Sequence, residues 1–218
     1  MIAELKRLGL FVGGRFLQVV RGRRELTQGR KMSTTTSLAD AEADLVWMDL
    51  EMTGLDIATD KILEVSCIIT DKDLNIKSEG PCFAISHPEE VYKNMNKWCI
   101  KHHHESGLIE RCRSSDVTLD KAVDLVMSYL KKNIPERKCP LAGNSVYMDR
   151  LFLRKYMSPV DEYLHYRTVD VSTIKELAKR WNPDVAKAAP RKAFAHRSLE
   201  DIMESIQELK YYKEHLFK

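Results

Sequence analysis

Cysteine is scarce in this chain, and its spacing excludes two classes of protein. Cys67, Cys82, Cys99, Cys112 and Cys139 are scattered and odd in number, with no C-x-x-C pair. Neither a zinc site nor a disulfide framework is suggested, and a reducing intracellular compartment is the natural setting. No apolar run approaches the length of a membrane span. Internal repeats and low-complexity segments are also missing. The most informative shortage is of positive charge in the body of the chain. The formal net charge is +3, yet residues 1–31 hold eight basic side chains (Lys6, Arg7, Arg15, Arg21, Arg23, Arg24, Arg30, Lys31) against only Glu4 and Glu25. By subtraction the remainder carries about −3. A surface that tracks long nucleic acid shows a basic excess, and this one does not.

At 218 residues, with 44% apolar and 31% charged residues, the chain can build one good core. Its first segment threads Ile2, Leu5, Leu8, Phe11 and Val12, then Phe16, Leu17, Val19 and Val20, between the arginines. A basic, acid-poor and amphipathic segment has the composition of a mitochondrial transit peptide. Gly9, Gly13, Gly14 and Gly22 leave a plain basic arm as the competing interpretation. Met32 offers a second start, which would place the product in cytosol and nucleus. Residues 1–40 are therefore set apart as a targeting segment, and 41–218 form the domain.

The stretch Leu45-Val46-Trp47-Met48-Asp49-Leu50-Glu51-Met52-Thr53-Gly54-Leu55 organises that domain. It reads as a short buried strand closed by a turn at Thr53-Gly54. Asp49 and Glu51 interrupt it, and side chains two apart on a strand share a face. Two converging carboxylates in a buried strand repel unless a cation lies between them, and hard divalent cations take oxygen ligands. The competing interpretation is an exposed edge strand with two solvated acids, which the apolar flanks oppose.

From Asp44 onward the pattern is α/β. Strands over Lys61–Thr70 and Ile76–Ile85 continue the first as an antiparallel meander, with Glu64 expected at a solvated position. Glu89–Cys112 is helical or irregular and holds Trp98 and the run His102-His103-His104. Histidines adjacent in sequence point different ways on a helix, so at least two of these three are expected to be ordinary polar positions. Leu119, Val123, Val126 and Leu130 mark an amphipathic helix ended by Pro135. A short strand from Cys139 leads to a loop at Asn144-Ser145. A helix follows through Met148, Leu151, Phe152 and Tyr156, with Asp149 in its first turns. Arg167–Ser172 is the next strand, Ile174–Trp181 a helix, 182–195 a loop, and Leu199, Ile202, Ile206 and Leu209 line a closing helix.

Two-metal hydrolysis of a phosphodiester requires carboxylates that hold the ions about 3.5–4 Å apart. Asp49 and Glu51 supply two, and Asp149 can reach the same sheet edge. Asp201 offers a fourth, with His196 five residues earlier as a base whose pKa lies near neutrality. Taken singly, Asp149 is a dipole-favoured acid, and Ser198-Leu199-Glu200-Asp201 fits a capping box in which Asp201 merely serves a helix end. The ordered set outweighs the single residues.

That set resembles the DEDDh family of 3′→5′ exonucleases, with its RNase H-like fold, and within it the oligoribonuclease group. The resembling segments are WMDLEMTGLD (47–56), WCIKHHHESGL (98–108), LAGNSVYMDRLFL (141–153), YRTVDVST (166–173) and HRSLEDIMESI (196–206). The resemblance implies a mixed sheet flanked by helices, and a hydrolase that releases 5′-mononucleotides from the 3′ end of very short RNAs. It implies that Asp49, Glu51, Asp149 and Asp201 hold two Mg²⁺ or Mn²⁺ ions and that His196 is the general base. Leu55 and Trp98 are implied to wedge and stack against the bases, with His103 in the same pocket. Ser145, Arg167 and Ser172 are implied to cap the 5′ phosphate, and Tyr166 to reach the partner's site in a homodimer. An aromatic platform tolerates every base, and an Arg fork with two hydroxyls suits a terminal phosphate. Closing the pocket there bars longer strands, which fits the acidic body. An exonuclease acting on longer RNA or single-stranded DNA, and an inactive RNA-binding module of the same fold, are the alternatives. Tyr147 and Met148 depart from the family, which commonly carries more polar residues beside Asp149, and Met148 is expected to alter how the second metal's waters are held.

Overall fold

The first strand, β1 (Leu45–Met52), lies inside the sheet and alternates as a strand buried on both faces must. The computed structural model describes residues 44–190 and 197–217. The expected targeting segment 1–40, Met32 and His196 lie outside these residues. β1 pairs antiparallel with β2 (Ile62–Thr70), which pairs antiparallel with β3 (Ile76–Ala84). On its other side β1 pairs parallel with β4 (Pro140–Gly143), and β4 with β5 (His165–Asp170). The order β3-β2-β1-β4-β5 gives a mixed sheet, as the α/β expectation required.

Two layers of helix cover it. Val46, Met48 and Leu50 face α4 (Leu119–Asn133), α5 (Tyr147–Tyr156) and α6 (Ser158–Tyr163), meeting Val126, Leu130, Phe152 and Val160. Trp47 faces the other way, against α7 (Val171–Trp181) and α9 (Ser198–Leu216), among Val171, Ala178, Ile202, Ile206 and Tyr212. Asp49 and Glu51 share the parity of Trp47 and so face α9. Three short helices, α1 (Glu89–Lys93), α2 (Lys97–Glu105) and α3 (Leu108–Ser114), pack on Leu63 through Tyr92, Cys99, Leu108 and Ile109. Among the described residues no helix is long and apolar enough to cross a membrane.

Three local expectations are corrected. The strand placed at Arg167–Ser172 runs from His165 to Asp170 instead. There the Asp170 carboxylate accepts the Ser172 N–H at 2.9 Å, caps α7 and turns Val171 and Ser172 into its first residues. The loop at 182–195 contains α8 (Pro183–Ala188), opened by a proline at a position where no helical N–H is needed. Glu64, expected in solvent, is buried and bonded to Arg111 Nη2 at 2.5 Å.

Candidate active site

Three carboxylates meet on the α9 face of β1. One ligand atom from each of Asp49, Glu51 and Asp201 lies within 4.8 Å of the others. β1 delivers the first two through its alternation, and α9 delivers the third from its first turn. The start of α9 is anchored without a capping box. Arg197 occupies the N-cap position without a side-chain cap, and Ser198 Oγ lies 2.6 Å from Ser66 Oγ, stapling α9 to β2. The capping-box pattern is thus present in sequence but unused in structure.

Asp149 stands beside this group rather than within it. Parallel pairing of β1 with β4 is confined to Val46–Leu141 and Trp47–Ala142. Where β4 ends, the Leu50 N–H donates instead to Asp149 Oδ1 at 2.9 Å. Met148, the residue expected to disturb metal waters, packs against the core on the other face of β1. Tyr147 is 59% exposed.

The electrostatics of the cluster are first those of buried acids and second those of acids near one another. Burial foremost, then the charges of Asp201, Glu64 and Asp149, raise the Glu51 carboxyl to about 8, with Arg111 opposing. Burial also raises Asp149 to about 7, with the Leu50 N–H opposing and the Asp170 charge adding. Glu64 lies directly across from Glu51 in the β1–β2 register, so its ion pair with Arg111 bears on the cluster. A carboxylate set of this kind favours a bound cation, and all-oxygen donors suit a hard divalent ion.

Asp49, Glu51 and Asp201 line a cleft of about 530 Å³ together with Leu55, Asn96, Trp98, His103 and Asn144; Asp149 does not line it. Leu55 is 66% and Trp98 56% exposed, large apolar surfaces standing open at a charged site. Trp98 packs on His102 with ring centroids 4.2 Å apart. Of the three consecutive histidines, His103 alone lines the cleft. Its Nε2 lies 2.8 Å from the Met52 carbonyl, which can only accept, so Nε2 carries the proton. Its Nδ1 is 4.0 Å from Glu51 Oε2.

A second grouping lies at the β4–α5 turn. Ser145 adopts a left-handed φ of 52°, and its N–H reaches both Asp170 Oδ1 at 2.9 Å and Ser172 Oγ at 3.0 Å. The two serine hydroxyls lie 3.2 Å apart. Tyr166 and Arg167 are exposed on the edge strand β5, with the guanidinium 4.8 Å from the Tyr166 ring centroid. Tyr166 does not line the acidic cleft; it borders a separate hollow with Arg137, Arg150 and Arg154. Residues that the sequence did not single out are Arg111, Asp170 and Asn144, whose Nδ2 donates to buried Glu208 at 3.0 Å. Each acts through partners distant in the chain, so spacing alone carried no signal.

Comparison with known proteins agrees with this geometry. Residues 46–209 match the family RNase_T, described as exonuclease. A probable oligoribonuclease of Drosophila melanogaster is 63% identical over the whole of both chains. The mitochondrial oligoribonuclease of Homo sapiens is 46% identical, covering 97% of this chain and 91% of its own. An oligoribonuclease of Colwellia psychrerythraea is 50% identical over 83% of this chain and 99% of its own. Among solved structures, E. coli exonuclease I bound to single-stranded DNA superposes with a TM-score of 0.64 at 13% identity. That match covers 80% of this chain and 41% of the other, so the likeness is one of fold.

Proposed function

The chain belongs to the RNase_T exonuclease family, among the oligoribonucleases, and from that premise we propose how its cleft degrades short RNA. It is a 3′→5′ exoribonuclease of short RNA. Asp49, Glu51 and Asp201, with Asp149 beside them, would hold two divalent ions, Mg²⁺ or Mn²⁺. Such ions, when bound, activate a water and stabilise the leaving oxygen of a phosphodiester. The single observation behind this assignment is the meeting of three acid groups within 4.8 Å.

The chain's own residues do the rest. His196, one residue before the Arg197 N-cap of α9, takes the proton of the attacking water, a role that suits imidazole near neutrality. Leu55 and Trp98 receive the bases on their exposed apolar faces, and His103 closes the same pocket. Ser145, Ser172 and Arg167 receive the 5′ phosphate, supported by the clustered serine hydroxyls and by exposed Arg167 on the adjoining strand. Tyr166, exposed on an edge strand and outside the acidic cleft, serves the site of a second copy in a homodimer. Mitochondrial relatives and the basic first segment support import directed by residues 1–40, with initiation at Met32 leaving the enzyme in cytosol and nucleus. Residues 41–218 form the exonuclease domain.

A length series of 5′-phosphorylated RNA oligonucleotides, run with Mg²⁺, with Mn²⁺ and with chelator, tests this function. Divalent-dependent release of 5′-mononucleotides, fastest on the dinucleotide and falling steeply with length, is the expected result. Equal rates on a dimer and a twenty-mer would refute the 5′ cap and favour an exonuclease of longer strands. Binding without cleavage would leave only a binding module.

A further inference from the structure

The loop that carries Leu55 is held by one acid that no catalytic role requires. We infer that Asp60 is a positioning residue: its carboxylate clamps the 53–61 loop so that Leu55 is presented, already in place, to the bases of the substrate. Asp60 Oδ1 accepts the Thr53 hydroxyl at 2.7 Å, and Oδ2 accepts the Asp56 N–H at 2.9 Å. Thr53 Oγ1 in turn accepts the Lys61 N–H at 3.0 Å, and Thr53 N donates to Lys61 O at 3.0 Å. The loop ends are thereby pinned across the base of β1 and β2, and Leu55 stands exposed two residues after Thr53.

The same loop is gripped from outside by the helix that carries Asp149. Tyr156 OH donates to Asp60 O at 2.6 Å and accepts from Lys61 Nζ at 3.1 Å. Lys155 Nζ donates to Ala58 O at 2.7 Å. An exposed leucine on an unheld loop would spend binding free energy on ordering that loop, a cost that a preformed clamp removes. Gly54 shows how tight the clamp is. A Cβ at Gly54 would lie 2.4 Å from Asp60 Oδ2, so any side chain there pushes the carboxylate off its partners.

The inference rests on the proposed contact of Leu55 with the bases, and the test separates the two. The full chain, with a 5′-phosphorylated RNA dinucleotide, is measured for kcat and KM at saturating Mn²⁺ and for Mn²⁺ half-saturation by titrating the ion, with melting temperature as the check that each variant folds. Leu55→Ala and Asp60→Ala should each raise KM about tenfold, the loss expected when one leucine contact is given up. Both should leave kcat and Mn²⁺ half-saturation within about twofold. The double variant should be no worse than the worse single, because Asp60 acts only through Leu55. Gly54→Ala should copy Asp60→Ala and add nothing to it, which keeps the test valid if Asp60→Ala folds poorly.

If Leu55→Ala leaves KM unchanged, the base contact itself is wrong and the inference falls with it. If Leu55→Ala raises KM while Asp60→Ala and Gly54→Ala do not, the inference fails alone. Multiplying KM effects in the double variant, or loss of kcat or Mn²⁺ affinity in Asp60→Ala, would also overturn it.

Discussion

Replacing Glu51 with glutamine removes a charge that the fold opposes, and the consequence can be worked out. Burial and the neighbouring charges of Asp201, Glu64 and Asp149 raise this carboxyl from 4.5 to about 8. An acid whose pKa rises on folding keeps its proton longer in the folded chain than in the unfolded one. Its contribution to stability is full below pH 4.5 and is lost progressively as pH rises through 8. At 1.36 kcal/mol per unit, the loss is about 3 kcal/mol by pH 7 and at most about 5 kcal/mol above pH 8. Glutamine resembles the neutral acid at every pH, so metal-free E51Q escapes this loss. For a domain of this size about 3 kcal/mol corresponds to roughly 6–12 °C in melting temperature. Asp149, raised to about 7 chiefly by burial, adds a slope of the same sign to both proteins, and loss of the Glu51 charge in E51Q can only lessen it, which widens the difference in the same direction. Divalent ions reverse the ranking, because they bind the ionised carboxylate and stabilise the native state by mass action. Melts in chelator and in Mn²⁺ at pH 5, 7 and 8.5 read both effects. In chelator E51Q should melt within about 3 °C of the wild type at pH 5 and well above it at pH 8.5, and it should gain less from Mn²⁺. Melting of E51Q below the wild type in chelator at pH 8.5, or an equal gain from Mn²⁺, would refute the reasoning.

Other substitutions test the remaining parts. Asp49→Ala and Asp201→Ala should reduce dinucleotide cleavage to background in a gel or chromatographic assay; retained activity would mean the ions are held elsewhere. Arg167→Ala should cut the preference for a 5′-phosphorylated over a 5′-hydroxyl dinucleotide about tenfold or more, the value of a charge-assisted contact. An unchanged ratio of kcat/KM for the two substrates would clear Arg167 of that role. Arg111→Met strands buried Glu64 without its ion pair. Arg111 is itself partly exposed, so the cost should be about 2–3 kcal/mol in urea denaturation, and Glu64→Gln added to it should recover most of the loss. Stability of Arg111→Met equal to the wild type would show that Glu64 draws its compensation from other groups.

Much of the fold was legible because β1 states its geometry outright. Val46, Met48 and Leu50 alternate with Trp47, Asp49 and Glu51, and period two puts each set on one face. What spacing could not reveal was which residues meet from afar. Glu64 looked like a solvated interruption because its partner Arg111 stands 47 residues away. Ser198 looked like a cap because its actual partner, Ser66, is 132 residues distant. The end of β5 was misplaced because Val169, Val171 and their neighbours continue a β-branched run, while the Asp170 side chain starts a helix within it. The acids were legible as a set through resemblance. That three gather tightly while Asp149 takes the Leu50 N–H depends on where β4 stops pairing, which no pattern in the sequence marks.

β1 has a neighbour along both edges, with β2 laddered against its entire length. An outermost strand can peel away by itself, but an interior one leaves only when the sheet comes apart. The amide hydrogens of β1 that bond to β2 should therefore exchange with deuterium no faster than the whole domain opens. Heat or proteolysis that frays β3 alone leaves the charged face of β1 and the β5 residues beside it as they were, so molecules damaged there divide into those that still cut and those that have come undone entirely.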